Sequence, residues 1–193
     1  MSAKKKLDPS KVSQSISIAS SVKPEQPAPD AAPVAAPKAV EAGPLNAKGR
    51  YETSFRYSEA TKACLNDALE ACQARPHLKA VIIQKTYLEI APYHVYKLSS
   101  AEIKDAYYGL PDLGRATGGA PLRLSGDYYE RVMMPLIQKY SDALRTTRGA
   151  NVSRMVILGI HSLDSILKRD KEEFLDRIEE LCNLQYEEGL NIC

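Results

Sequence analysis

The sequence has no tryptophan and only two phenylalanines, so eleven tyrosines carry nearly all of its aromatic character. A tyrosine ring brings a polar tip with it, which suits half-buried positions and wet contacts. No run of about 18 consecutive apolar residues occurs, which excludes a membrane-spanning helix. The start, Met1-Ser2-Ala3-Lys4-Lys5-Lys6, is basic, but no apolar stretch follows it and a secretory signal is not expected. The four cysteines (Cys64, Cys72, Cys182 and Cys193) form no Cys-x-x-Cys pair. Without a secretion signal they read as reduced thiols, and the chain reads as cytoplasmic.

Chemistry-bearing clusters are equally scarce. There are three histidines: His77 starts a helix and His161 falls in the middle of one, where structural roles are expected, and His94 has no partner motif. Cys64 and Cys72 fall on one helix about 12 Å apart, too far to share a zinc ion. Gly114-Arg115-Ala116-Thr117-Gly118-Gly119 lacks the lysine and the Ser/Thr of a phosphate-binding loop, and no strand of buried aliphatics precedes it. No catalytic residue, metal or cofactor is expected, and the chain does not read as an enzyme.

What is present is a 193-residue chain with 44% hydrophobic and 26% charged residues, the balance of a globular protein. Its net charge of +2 is unevenly spread. Residues 1–48 hold seven Lys against four acids, and six basic residues in 121–154 stand against three acids. Residues 170–193 reverse this, with eight acids against two bases. A basic middle beside an acidic end suits a surface that meets an anion at one place.

Residues 1–48 contain seven of the twelve prolines and read as a disordered Pro/Ala-rich tail. From Tyr51 to Tyr57 apolar and polar residues alternate, a strand signal, with Glu52, Ser54 and Arg56 on the outward face. Ser58 offers an N-cap to a helix through Cys72. Pro76 starts a second helix with Leu78, Val81, Ile82 and Leu88 inward, ending before Pro92; Pro92–Leu98 reads as a short strand. Ser99 opens a small helix through Tyr108, with Glu102 as its capping-box partner. These elements make 49–108 a strand–helix–helix region. Residues 109–126, with five of the ten glycines, read as a loop containing a short extended piece at Pro121–Leu124.

Residues 127–169 form the second region. Tyr128–Met134 reads as extended, Pro135 fits a first helical turn, and Gly149 suits the left-handed residue that ends this helix. Asn151 caps the next helix, with Val152, Val156, Ile160, Leu163 and Leu167 on one face. A helix from Asp127, kinked at Pro135 and capped by Asp127 with Glu130, is the rival reading. The acidic last region, 170–193, is a helix capped by Asp170, with Phe174, Leu175, Ile178, Leu181 and Cys182 as its stripe.

Strand, helix, Gly-containing turn and capped helix over Tyr128–Leu167 resemble the ribbon-helix-helix family of DNA-binding regulators. The resemblance implies a mainly α fold with a short β-ribbon, formed by two subunits of a homodimer and set in the major groove of double-stranded DNA. Carried onto this sequence, Tyr129, Arg131 and Met133 face the groove, while Val132 and Met134 face the core. Arg148, Asn151, Ser153 and Arg154 lie at the phosphate-contacting helix start. Tyr51–Tyr57, the Ser58-capped helix and the helix after Pro76 repeat the same order, so Glu52, Ser54 and Arg56 form an alternative reading strand, and two such units in one chain have the means to pair with each other.

The Pro/Ala tail followed by Tyr51-x-Thr53-x-Phe55-Arg56-Tyr57-Ser58-x-Ala60 also resembles the AcaB-like regulators of conjugative elements. That resemblance implies a transcriptional activator of transfer genes. The expected function is sequence-specific DNA binding. The alternative is a helical adaptor whose acidic last helix contacts a protein such as RNA polymerase.

Overall fold

The backbone alternates strand and helix in an order that occurs twice. The computed structural model describes residues 45–46, 48–113 and 115–190. The first series is β1 (Arg50–Tyr57), α1 (Glu59–Cys72), α2 (Pro76–Val81), α3 (Gln84–Lys97) and α4 (Ser100–Tyr108). The second is β2 (Gly118–Ser125), α5 (Gly126–Tyr128), a π-helical turn (Tyr129–Met133), α6 (Met134–Leu144), α7 (Val152–Arg169) and α8 (Lys171–Glu187). The fold is mainly helical with one short antiparallel ribbon, β1 paired with β2 from Arg50↔Ser125 to Tyr57↔Gly118. All of these elements fall within one unit, residues 37–193. The disordered-tail expectation lies, for residues 1–44 and 47, outside the described residues. Among the described residues no helix is long and apolar enough to cross a membrane.

Local chemistry sets the helix starts. Ser58 accepts from the Thr61 amide, Ser99 and Glu102 close a capping box, Asn151 accepts from the Arg154 amide, and Asp170 accepts from those of Glu172 and Glu173. Ser125 accepts from the Tyr128 amide and caps the helical run that follows β2.

Several expectations about strands and helices are overturned. Residues 128–134 are helical, not extended. They belong to an unbroken helical run over 126–144, in which Pro135 occupies the first turn of α6. The extended reading, which rested on Pro135 as the start of a helix, is outweighed by the Ser125 cap and by burial of Tyr128, Tyr129, Val132 and Met133, a pattern only a helix delivers to one side. The strand of the second region lies upstream at Gly118–Ser125, where Leu122 and Leu124 point inward and Arg123 and Ser125 outward. The loop is correspondingly shorter than 109–126.

Likewise Pro92–Leu98 is not a strand. α3 passes through Pro92, whose ring removes the N–H that would bond the Leu88 carbonyl. All ten residues from Thr86 to Val95 are buried, and that packing outweighs the proline penalty. The helix expected to run on from Pro76 instead breaks at Ile82, which is extended, leaving Val81 exposed. A run of three β-branched residues, Val81-Ile82-Ile83, favours that break. Gly149 is left-handed as expected (φ +75°), but α6 ends earlier, with Arg145 left-handed (φ +53°) at its C-cap.

The two series are related by an approximate dyad. The strand ends read Phe55-Arg56-Tyr57-Ser58 and Leu122-Arg123-Leu124-Ser125, each serine capping the helix that follows. α3 packs on α7 as the central pair, α1 on α7 as α6 on α3, and α7 lies on β1 as α3 lies on β2. Ile83, Ala91 and His94 stand to Asn151, Gly159 and Ser162 at the same separation, 68 positions. Two of these equivalent pairs touch. A side chain at Gly159 would meet the Ala91 carbonyl, and His94 Nε2 lies 3.0 Å from Ser162 Oγ. Equivalent residues meet only on a two-fold axis, so the axis passes through the α3–α7 crossing.

Candidate nucleic-acid interface

Strand periodicity divides the ribbon into two faces. Phe55, Leu122 and Leu124 are buried beneath it, and the ring of Tyr51 stacks on Tyr129 with centroids 4.2 Å apart. The opposite face carries Arg50, Glu52, Ser54 and Arg56 from β1, and Gly119, Pro121, Arg123 and Ser125 from β2, all exposed. Three arginines face one acid, and Glu52 lies 3.5 Å from Arg123 across the strands. Ser54 pairs with Pro121 at the centre, so small residues lie between Arg56 and Arg123.

The start of α7 comes to the same region. A groove of about 480 Å³ is lined by Arg56 and Ser58 from the ribbon end and by Gly149, Asn151, Ser153 and Arg154 from the approach to α7. Asp112 is its acidic residue. Asn151 Oδ1 accepts the Arg154 amide at 2.9 Å, leaving other first-turn amides of α7 to a ligand. Arg148 is exposed in the preceding turn. On the dyad-related side, Lys85 is exposed in the first turn of α3.

The structure thus brings Glu52, Ser54 and Arg56 onto one outward face and sets Asn151, Ser153 and Arg154 beside it. It does not bring Tyr129, Arg131 and Met133 there. Tyr129 and Met133 are buried, and Arg131 bonds Asp127 Oδ2 at 3.1 Å and the Glu188 carbonyl at 2.8 Å. Its guanidinium ties the π turn to the end of α8. Arg50 and Arg123 were missed. The signal for Arg123 was the repeat of apolar-Arg-apolar-Ser at both strand ends; the extended piece expected at Pro121–Leu124 lies inside β2, while Gly118 and Gly119 before it read as loop.

A second polar constellation lies between α1 and α7. Cys64 Sγ is 3.7 Å from His161 Nδ1, and His161 Nε2 is 3.0 Å from Thr61 Oγ1. A carboxylate oxygen of Asp164, one turn beyond His161, lies within 4.8 Å of both the thiol and the ring. Asp164 Oδ2 pairs with Lys168 at 2.7 Å, whereas buried Oδ1 has no hydrogen-bond partner. Burial, reinforced by the neighbouring Asp164 carboxylate, pushes the Cys64 thiol up to about 12. Burial also lowers His161, so its ring is neutral at neutral pH. These residues line a groove of about 1330 Å³ that also reaches His94 and Arg177. His94 accepts from Arg177 Nε through Nδ1 at 3.3 Å, so its Nε2–H donates to Ser162, and burial first, then Arg177, lowers it to about 3. Sequence spacing had no means of finding the Cys64 cluster, since its members are 97 positions apart and meet only because α1 packs on α7.

No protein-family model matches the chain, no curated protein is similar to it, and no solved structure matches it.

Proposed function

We propose that this protein binds duplex DNA sequence-specifically and regulates transcription, reading base edges with the outward face of the β1–β2 ribbon. The observation that carries this reading is the placement of Arg56 and Arg123 at dyad-related ends of one exposed face, with the α7 start opening on the groove that Arg56 lines. A two-stranded ribbon fits the major groove of B-DNA, and an arginine offers both its donors to the O6 and N7 of guanine. Small residues at Ser54, Gly119 and Pro121 let the backbone approach the bases. Arg148 and Arg154, with the α7 amides, are suited to the flanking phosphates.

Both strands come from one chain, so a single copy presents a whole ribbon and the homodimer is no longer required to build it. A cytoplasmic location rests on the reading of the cysteines as reduced thiols without a secretion signal, and a role as activator of conjugative transfer on the resemblance drawn from the sequence. The adaptor reading has less support. Glu172, Asp176 and Glu179 of α8 are engaged by Arg75, Glu180 by Arg177, and Glu173 by Arg169. The helix buries Phe174, Leu175, Ile178 and Leu181.

Selection of random duplexes by the purified protein at about 150 mM salt tests the proposal, since weak electrostatic binding is suppressed there. An enriched site is expected. Arg56→Ala and Arg123→Ala should each lose about 1–3 kcal/mol and relax one base pair. Arg154→Ala should weaken all sequences alike and reduce the salt slope by about 1. A folded sample that enriches nothing would overturn the reading.

A further inference from the structure

We infer that Cys64, His161 and Asp164 form a metal site, with zinc the ion their donor set selects. The argument is independent of the DNA reading and starts from the donors. A thiolate, an imidazole and a carboxylate together are a borderline set suited to zinc, and three protein ligands with one open position is an arrangement zinc adopts. With ordinary zinc bond lengths, the sulfur–nitrogen edge of the tetrahedron is about 3.6 Å. The observed Cys64 Sγ–His161 Nδ1 separation is 3.7 Å, so the pair needs almost no movement to take an ion.

The surroundings are arranged as an outer shell. Thr61 Oγ1 lies 3.0 Å from His161 Nε2, so a ring protonated at Nε2 donates to the threonine and turns the Nδ1 lone pair to the Cys64 side. Lys168 holds Asp164 Oδ2, leaving Oδ1 bare. Asp164 is 4% exposed, and a buried carboxylate oxygen without a partner is costly unless something supplies a positive charge. On ligation the Cys64 proton leaves to solvent, and a divalent ion with one thiolate and one carboxylate is neutral. All three ligands line the larger groove, so the fourth position is left to water or to a group bound there.

The same three residue types also form nucleophilic triads, but here the Asp164 carboxylate lies within 4.8 Å of the Cys64 sulfur as well as of the ring, and Thr61, not Asp164, sits behind the imidazole at Nε2, so the three groups converge on one point instead of standing in relay.

The probe is cobalt(II), added to the full chain after chelation, with zinc as competitor. One equivalent is expected to give a thiolate-to-cobalt charge-transfer band and the visible absorption of tetrahedral cobalt, both abolished by zinc. Cys64→Ser should lose the charge-transfer band. Thr61→Val, which keeps all three ligands, should weaken binding by about 10–100-fold. A chain in which Cys72, Cys182 and Cys193 are changed to serine should retain the spectrum, and it decides the question if Cys64→Ser does not fold. No band in the folded parent chain, or a band that persists in folded Cys64→Ser, would overturn the site.

Discussion

Glu89 shows how far a single residue departs from what its chemistry in water would suggest. It lies on α3 with 5% exposure, its Oε2 without a hydrogen-bond partner, and burial pushes its carboxyl from 4.5 up to about 7. Between those values the native chain holds a proton that the unfolded chain has released. Native stability is therefore undiminished below about pH 4.5 and falls as the pH rises toward 7, by up to about 1.4 kcal/mol per unit. Glu89→Gln carries no charge at any pH. Urea unfolding should find it equal to the parent at about pH 4 and more stable by about 1–3 kcal/mol at about pH 8. Equal stabilities at both would show that the carboxyl is not penalised. Residue-scale chemistry was legible in the sequence where it is local. Ser58, Ser99, Asn151 and Asp170 all cap as expected, because a cap needs only its own next turn. Glu89 and the Cys64–His161–Asp164 cluster were not, because their environments are made by helices far apart in sequence.

At the scale of elements, the outcome turned on competition between local pattern and packing. The first strand and the helices α1, α4, α7 and α8 follow their periodicity. The second strand was placed in 128–134 because Pro135 and the tyrosines there imitate a strand-to-helix junction, while the true strand carries two glycines and a proline. The helix through Pro92 was invisible to propensity and is a product of burial. Its crossing with α7 depends on Gly159, where any side chain would strike the Ala91 carbonyl. Backbone cannot step aside as a side-chain tip can, so Gly159→Ala should force the central pair apart and cost about 3 kcal/mol or more in thermal or denaturant unfolding. A loss within about 0.5 kcal/mol would mean the two helices have room to separate.

The molecule as a whole is two similarly ordered halves that share one core. Ala91, Ile90, Leu158 and Gly159 lie at the junction, and each half supplies one strand of a ribbon that has no other partner among the described residues. A two-stranded ribbon needs packing beneath it, and a half-chain would leave α3 or α7 with its inner face uncovered. Chains ending within and beginning after the loop at 109–117 should therefore each lack a cooperative melt by circular dichroism, and a mixture should regain the helical signal and one transition. A cooperative melt from either fragment alone would show that the halves are independent. The sequence indicated two strand–helix–helix units with the means to pair; which segment pairs with β1, and the dyad, emerged only from the register Ser54↔Pro121.

Joining both strands in one chain also frees the two ends of the ribbon to diverge, which identical subunits cannot do. They have diverged: Arg123 is met by Glu52, whereas its counterpart Arg56 faces Gly119. A symmetric dimer lies on its target in two equivalent orientations, but this surface has a left and a right. A ligand seated on this face would meet Arg123 with Glu52 at one end and Arg56 with Gly119 at the other, and would have one preferred direction.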